Sequence, residues 1–129
     1  MTMHENDIAK AVINAALSIH RYLGPGLLES LYEAALEHDL EELGHLVARQ
    51  RGLPVVYRSV RLAAGYSPDL VVDQRVIVEV KAIDGIAPVH RQQLLTYLKV
   101  SGLKLGLLLN FKTALMKDGI IRMVNGLED

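Results

Sequence analysis

The stretch from Asp69 to Lys81, DLVVDQRVIVEVK, constrains the chain most, because it sets Glu79 and Lys81 into an otherwise apolar, β-branched run that reads as a strand. Side chains alternate across a strand, so Glu79 and Lys81 share one face while Val78 and Val80 take the other. An unpaired charge on a half-buried strand is costly, so a carboxylate and an ammonium held side by side there need a further partner. The simplest such partner is a metal ion. The residues between the two halves of the stretch decide whether a second carboxylate joins them. With a two-residue loop at Asp73-Gln74, Asp69 would face Val78 and point away from Glu79. A three-residue loop at Asp73-Gln74-Arg75 pairs Asp69 with Glu79 and puts both carboxylates on one face. The longer loop, or a bulge, is expected.

Around this stretch the pattern alternates between helix and strand. Ile8, Ala11, Val12, Ala15, Ala16 and Ile19 have the spacing of an amphipathic helix ending near Leu23, where Gly24-Pro25-Gly26 breaks it. A second helix is predicted from Leu27 to Leu43, stopped by Gly44. His45–Gln50, Leu53–Tyr57 and Val60–Ala64 read as short strands, and Tyr66–Val72 with Val76–Ala82 as a hairpin. After a loop over Ile83–Pro88, Val89–Val100 restores helical spacing through Leu94, Leu95 and Leu98. Lys104–Phe111 is a continuous apolar strand fit for burial on both faces, and Ile120–Val124 adds an edge strand. Helices, a run of mostly antiparallel strands, a crossover helix and a central strand together predict an α/β fold with a mixed sheet.

Composition bounds what such a fold can do. The chain has 129 residues, which suits one domain over 1–129 with a core that needs no staples. Cysteine is absent, so disulfides, thiolate nucleophiles and zinc-thiolate sites are excluded, and any metal is held by oxygen or imidazole. No apolar run approaches about 18 residues and Met1–Asp7 is polar, so neither a membrane span nor a signal peptide is expected, and the reading is cytoplasmic. The net charge of −1 argues against an obligate nucleic-acid binder, although Arg49, Arg51, Arg58 and Arg61 cluster in one stretch and read either as a basic rim or as ordinary solvated charges.

Metal-assisted phosphodiester hydrolysis needs a divalent ion that polarises phosphate and activates water, and hard Mg²⁺ or Mn²⁺ prefer carboxylate, carbonyl and water oxygens. Asp69 and Glu79 supply carboxylates, Val80 a backbone carbonyl, and Glu29 on the second helix a third carboxylate, directly or through water. Three carboxylates and Lys81 sum to −2 (−3 + 1), the charge one divalent ion neutralises. Without metal, repulsion raises at least one carboxylate pKa. Lys81 would orient the attacking water and stabilise charge on phosphate oxygens.

Asp69, preceded by Pro68, and Glu79-Val80-Lys81 together resemble the D…ExK core of the PD-(D/E)xK nuclease superfamily. Gly26, Glu29 and Tyr32 form a GxxExxY motif, Gln93 and Tyr97 a QxxxY pair one helical turn apart, and all stand in the order of the GxxExxY protein family. The chain resembles that family over nearly its whole length. The resemblance implies a restriction-endonuclease-like core, a mixed sheet flanked by helices, with Gln93 and Tyr97 beside the active site. There Gln93 would bond a metal-bound water or Lys81, and Tyr97 a phosphate or Glu29. Gly26 and Tyr32 read as structural.

Each residue also has an ordinary explanation. Glu29, Glu33 and Glu37 form a stripe of the kind usually solvated, Glu79 and Lys81 could be an exposed same-face pair, and His20 and His90 read as surface or capping residues. Asp73 and Asp84 read as turn residues. Gly24-Pro25-Gly26 lacks the ending and the preceding strand of a phosphate loop. The conjunction favours a metal-dependent phosphodiesterase acting on nucleic acid, DNA ahead of RNA. The alternative is a non-catalytic nucleic-acid-binding or protein-interaction module on the same fold, and a homodimer facing one duplex is compatible with either.

Overall fold

Helix α1 (Glu5–Leu23) buries Ile8, Val12, Ala15, Ala16 and Ile19, the stripe its spacing predicts. It begins before Ile8 because the His4 imidazole accepts the Asn6 N–H at 2.9 Å and caps the first turn. The computed structural model describes residues 3–128, with the backbone alone at 63–65; Met1, Thr2 and Asp129 lie outside the described residues.

Helix α2 (Glu29–Glu42) starts two residues later than the expected Leu27, since Leu28 is extended. The Leu27 N–H donates instead to the Tyr32 hydroxyl at 3.2 Å, and that hydroxyl donates to the Gly24 carbonyl at 2.6 Å. Gly26, at a φ of 103°, lets the chain turn into the helix. The Tyr32 ring is fully buried and stacks on Phe111 with centroids 4.3 Å apart. Gly26 and Tyr32 are thus structural, as expected, and they fix where α2 points its first residue, Glu29.

Five strands form one mixed sheet in the order β1 (Val47–Arg49), β4 (Leu70–Val72), β5 (Val76–Lys81), β6 (Leu105–Asn110), β7 (Ile120–Val124). β5 and β6 are parallel and the other pairs antiparallel. A parallel neighbour needs a crossover, and α3 (Pro88–Ser101) supplies it. One face of the sheet, through Leu70, Val72, Val76, Val78, Val80, Leu105, Leu107 and Leu109, packs on α1 and α2. The other, through Ile77 and Leu108, packs on Leu94 and Leu98 of α3. All six β6 residues are buried, as a strand covered on both faces requires.

The expected run of strands is corrected in one place. β2 (Leu53–Tyr57) and β3 (Val60–Tyr66) leave the main sheet and form their own two-stranded ribbon, and Tyr66 ends β3 instead of opening β4. Pro68 has no N–H to give to a ladder, so the pairing of β4 resumes only at Leu70. Leu53 and Tyr66, at the base of the ribbon, pack against the α3 side of the core. No helix among the described residues is long and apolar enough to cross a membrane.

Candidate active site

The site is built on the register of β4 and β5. Leu70 pairs with Val78, Val71 with Ile77 and Val72 with Val76, which leaves Asp73, Gln74 and Arg75 as a three-residue loop. Asp73 and Gln74 both take positive φ, 54° and 59°. Continued by one residue, the ladder sets Asp69 opposite Glu79, on the face that carries Ile77 and α3. The Asp69 Oδ2 then accepts the Val80 N–H at 2.7 Å, so a side chain replaces the backbone partner that β4 no longer provides.

β1 extends this row. Arg49 pairs with Leu70, and the Gln50 N–H donates to the Asp69 carbonyl at 3.0 Å, placing Gln50 beside Asp69. Its side-chain amide donates to Asp69 Oδ1 at 3.0 Å and to Glu33 Oε1 at 2.9 Å. Both amide hydrogens are thereby used, and both Asp69 oxygens are held. Gln50, Asp69 and Glu79 form one cross-strand row of polar groups.

Glu79 is nearly buried, and its Oε1 has no hydrogen-bond partner among the described residues. Burial pushes its carboxyl up to about 8, helped by the Asp69 charge and opposed by Lys81. Lys81, half-buried on the same face, is anchored by its ladder partner Asn110 and by the Phe111 N–H, which donates to its carbonyl at 2.8 Å. The Asn110 amide grips Ile83 from both sides, accepting its N–H at 3.1 Å and donating to its carbonyl at 3.0 Å. The chain therefore leaves β5 along one path.

Glu29 comes to that exit from the other side. Its Oε2 accepts the Ala82 N–H at 2.9 Å, one residue past Lys81. The described residues contain no group of three or more His, Cys, Asp or Glu side chains able to hold a metal. The structure thus brings Asp69, Glu79, Lys81 and the Val80 backbone together and directs Glu29 to the end of the strand, not into a three-carboxylate cluster.

Tyr97 of α3 stacks on Tyr66 with centroids 3.6 Å apart. Burial raises the Tyr97 hydroxyl, and the Glu79 and Asp69 charges raise it further; Gln93, one turn earlier, acts on it in the opposite sense. Tyr66 is raised too, burial first and Glu79 next, and its buried hydroxyl has no hydrogen-bond partner among the described residues. His90 accepts the Ala87 N–H at 2.9 Å and caps α3, and His20 meets the Thr113 carbonyl at 2.9 Å, so neither joins the site. Asp73 takes the Leu46 N–H at 2.9 Å and His45 at 2.6 Å, closing the turn.

Three residues here carry no motif in the sequence: Gln50, Glu33 and Tyr66. The acidic stripe of α2 is also not solvated. Glu33 is buried against Gln50 and Arg49, Glu37 lies 3.7 Å from Arg49, and Glu29 is on Ala82. A stripe facing an Arg-Gln pair at a strand end was the available signal.

Comparison with curated proteins and with solved structures gave no match. The family model of the PD-(D/E)XK nuclease superfamily matches residues 6–123, a span that runs from the first turn of α1 into β7 and contains every residue of the site. With the mixed sheet, its flanking helices and Asp69 set opposite Glu79, that match places the chain in its family: it belongs to the PD-(D/E)XK nuclease superfamily.

Proposed function

We propose that the chain is a single-domain, metal-dependent nuclease of the GxxExxY branch that hydrolyses phosphodiester bonds in DNA. One observation carries the reading. Asp69 and Glu79 face each other across two strands, and Glu79 keeps a buried oxygen with no partner among the described residues. A buried acceptor left unpaired is costly, and a hard cation satisfies it while cancelling the repulsion between the carboxylates. An all-oxygen donor set of two carboxylates with water suits Mg²⁺ or Mn²⁺, which keep several waters when protein-bound. Asp69, Glu79 and the Val80 carbonyl would hold the ion, with Glu29 reached through water. Such an ion polarises the phosphate and lowers the pKa of water.

The remaining roles belong to side chains. Gln50 and the Val80 N–H hold the two Asp69 oxygens and so fix the carboxylate's orientation. Glu29 and Asn110 fix the end of β5, and with it the direction of Lys81. The Lys81 ammonium donates to a phosphate oxygen and orients the attacking water, while Gln93 positions that water and Tyr97 meets the phosphate at the rim. Tyr22, Leu23, Leu27, Leu28 and Leu31 are exposed where α1 meets α2, and this apolar patch supports a homodimer.

Mg²⁺- and Mn²⁺-dependent cleavage of labelled single-stranded, duplex and branched DNA and RNA tests the reading. Glu79→Ala and Lys81→Ala are expected to lower cleavage at least ~100-fold, Lys81→Ala without loss of Mn²⁺ binding or folding. The net charge of −1 favours the second reading, a nucleic-acid-binding or protein-interaction module without turnover. Oligonucleotide binding with no product under any metal would establish that one.

A further inference from the structure

Beside the carboxylate row lies a second polar feature that the chemistry above leaves unused. A cleft of about 390 Å³ opens at the base of the β2–β3 ribbon, lined by Arg51, Leu53, Arg61, Gln74 and the facing pair Ala48 and Val71. Val71, paired with Ala48 and Ile77, stands two residues along from Asp69, hence on the same face and roughly 7 Å away at the strand rise. The floor of the cleft is thus the next row of the sheet after the one that carries Asp69 and Glu79.

Arg51 and Arg61 are both exposed, and neither has a carboxylate partner among the described residues. Neighbouring arginines are used differently. Arg49 is tied to Glu33 and Glu37, and Arg75 to Glu5. Two guanidinium groups that line one cleft without a carboxylate partner keep their donors free for an anion. Planar forks of donors above an apolar floor match a phosphodiester, which takes two parallel N–H bonds from each guanidinium.

We infer that Arg51 and Arg61 form a second phosphate site, which holds the phosphate of the substrate strand adjoining the one placed at Asp69 and Glu79. The site lets a chain of net charge −1 engage a polyanion, because Arg51 and Arg61 place two positive charges together beside the carboxylate row. The inference rests on the nuclease reading, and the test separates the two.

Binding of a fluorescent single-stranded oligonucleotide would be followed by anisotropy in EDTA across a salt series, beside Mn²⁺-dependent cleavage by the parent. The Arg51→Glu, Arg61→Glu double variant is expected to bind at least ~10-fold more weakly, with a salt slope reduced by about 1.4 for two lost single-strand contacts. Lys117→Glu, an exposed charge change outside the cleft, is expected to stay within about twofold. Mn²⁺ binding and melting should match the parent in both. Should the double variant fold poorly, Arg51→Gln with Arg61→Gln gives the same readout without new charge.

A double variant that binds like the parent, or loses no more than Lys117→Glu, overturns the second site while parental cleavage leaves the nuclease reading standing. A parent that binds no oligonucleotide also overturns it, and the nuclease reading falls with it only where cleavage is absent too.

Discussion

A carboxyl group that is buried, faces another carboxyl group and has an oxygen with no partner keeps its proton near neutral pH in the metal-free protein, and Glu79 combines all three. Its carboxyl is raised from 4.5 to about 8 by burial first and Asp69 second. Between those values the folded chain retains a proton that the unfolded chain has released, so metal-free stability falls as pH rises through that window and levels off above 8. Glu79→Gln removes the titration. In urea unfolding with EDTA, the variant's stability relative to the parent should improve by about 1–3 kcal/mol between pH 5 and pH 8. A difference independent of pH would show that Glu79 is not strained in this way. Of the residues around it, Lys81 was legible from alternation, and Asp69 once a three-residue loop was chosen. Gln50 and Glu33 were not, because a Gln at a strand end and a Glu in a helical stripe acquire meaning only from what they face.

Helix α1, α3, β6 and β7 follow directly from periodicity, and their observed ends lie close to the expected ones. The β4–β5 register was legible too, since only a three-residue loop keeps the carboxylates together. What periodicity could not supply is which strands share a sheet. β2 and β3 have the same local pattern as their neighbours, and their separation comes from Pro68 and from the packing of Leu53 and Tyr66 toward α3. The path of the chain after β6 is set just as locally. A Cβ at Gly119 would run into the Asn110 carbonyl and the Thr113 hydroxyl, and Asn110 is the residue that grips Ile83. Gly119→Ala should therefore cost about 1–3 kcal/mol in chemical denaturation. Gly85→Ala, which meets nothing within 4 Å, should change stability by no more than ~0.5 kcal/mol. Equal effects at the two positions would remove the steric argument.

For the molecule as a whole, a ligand that binds only the folded state stabilises it in proportion to the logarithm of its saturation. If Asp69 and Glu79 hold a divalent ion, Mn²⁺ at 100 times its dissociation constant should add about 2.7 kcal/mol, read as a rise in Tm. The ion must displace the Glu79 proton, so its affinity should weaken up to about tenfold per pH unit below 8. The rise in Tm should then be larger at pH 8 than at pH 6 and be lost in Glu79→Gln. A rise of equal size in that variant would place the metal elsewhere.

From the sequence alone came the α/β class, the two helices at the start, the face shared by Glu79 and Lys81, and the pairing that brings Asp69 to them. All of these depend on short-range periodicities of the backbone, which residue order carries directly. The tertiary structure decided that the α2 stripe turns inward, that Glu29 caps the end of β5, that Gln50 bridges Glu33 to Asp69, and that Tyr66 stacks on Tyr97. Each joins residues from different elements. Such contacts depend on how whole elements pack, and no local pattern records which distant group a side chain will meet.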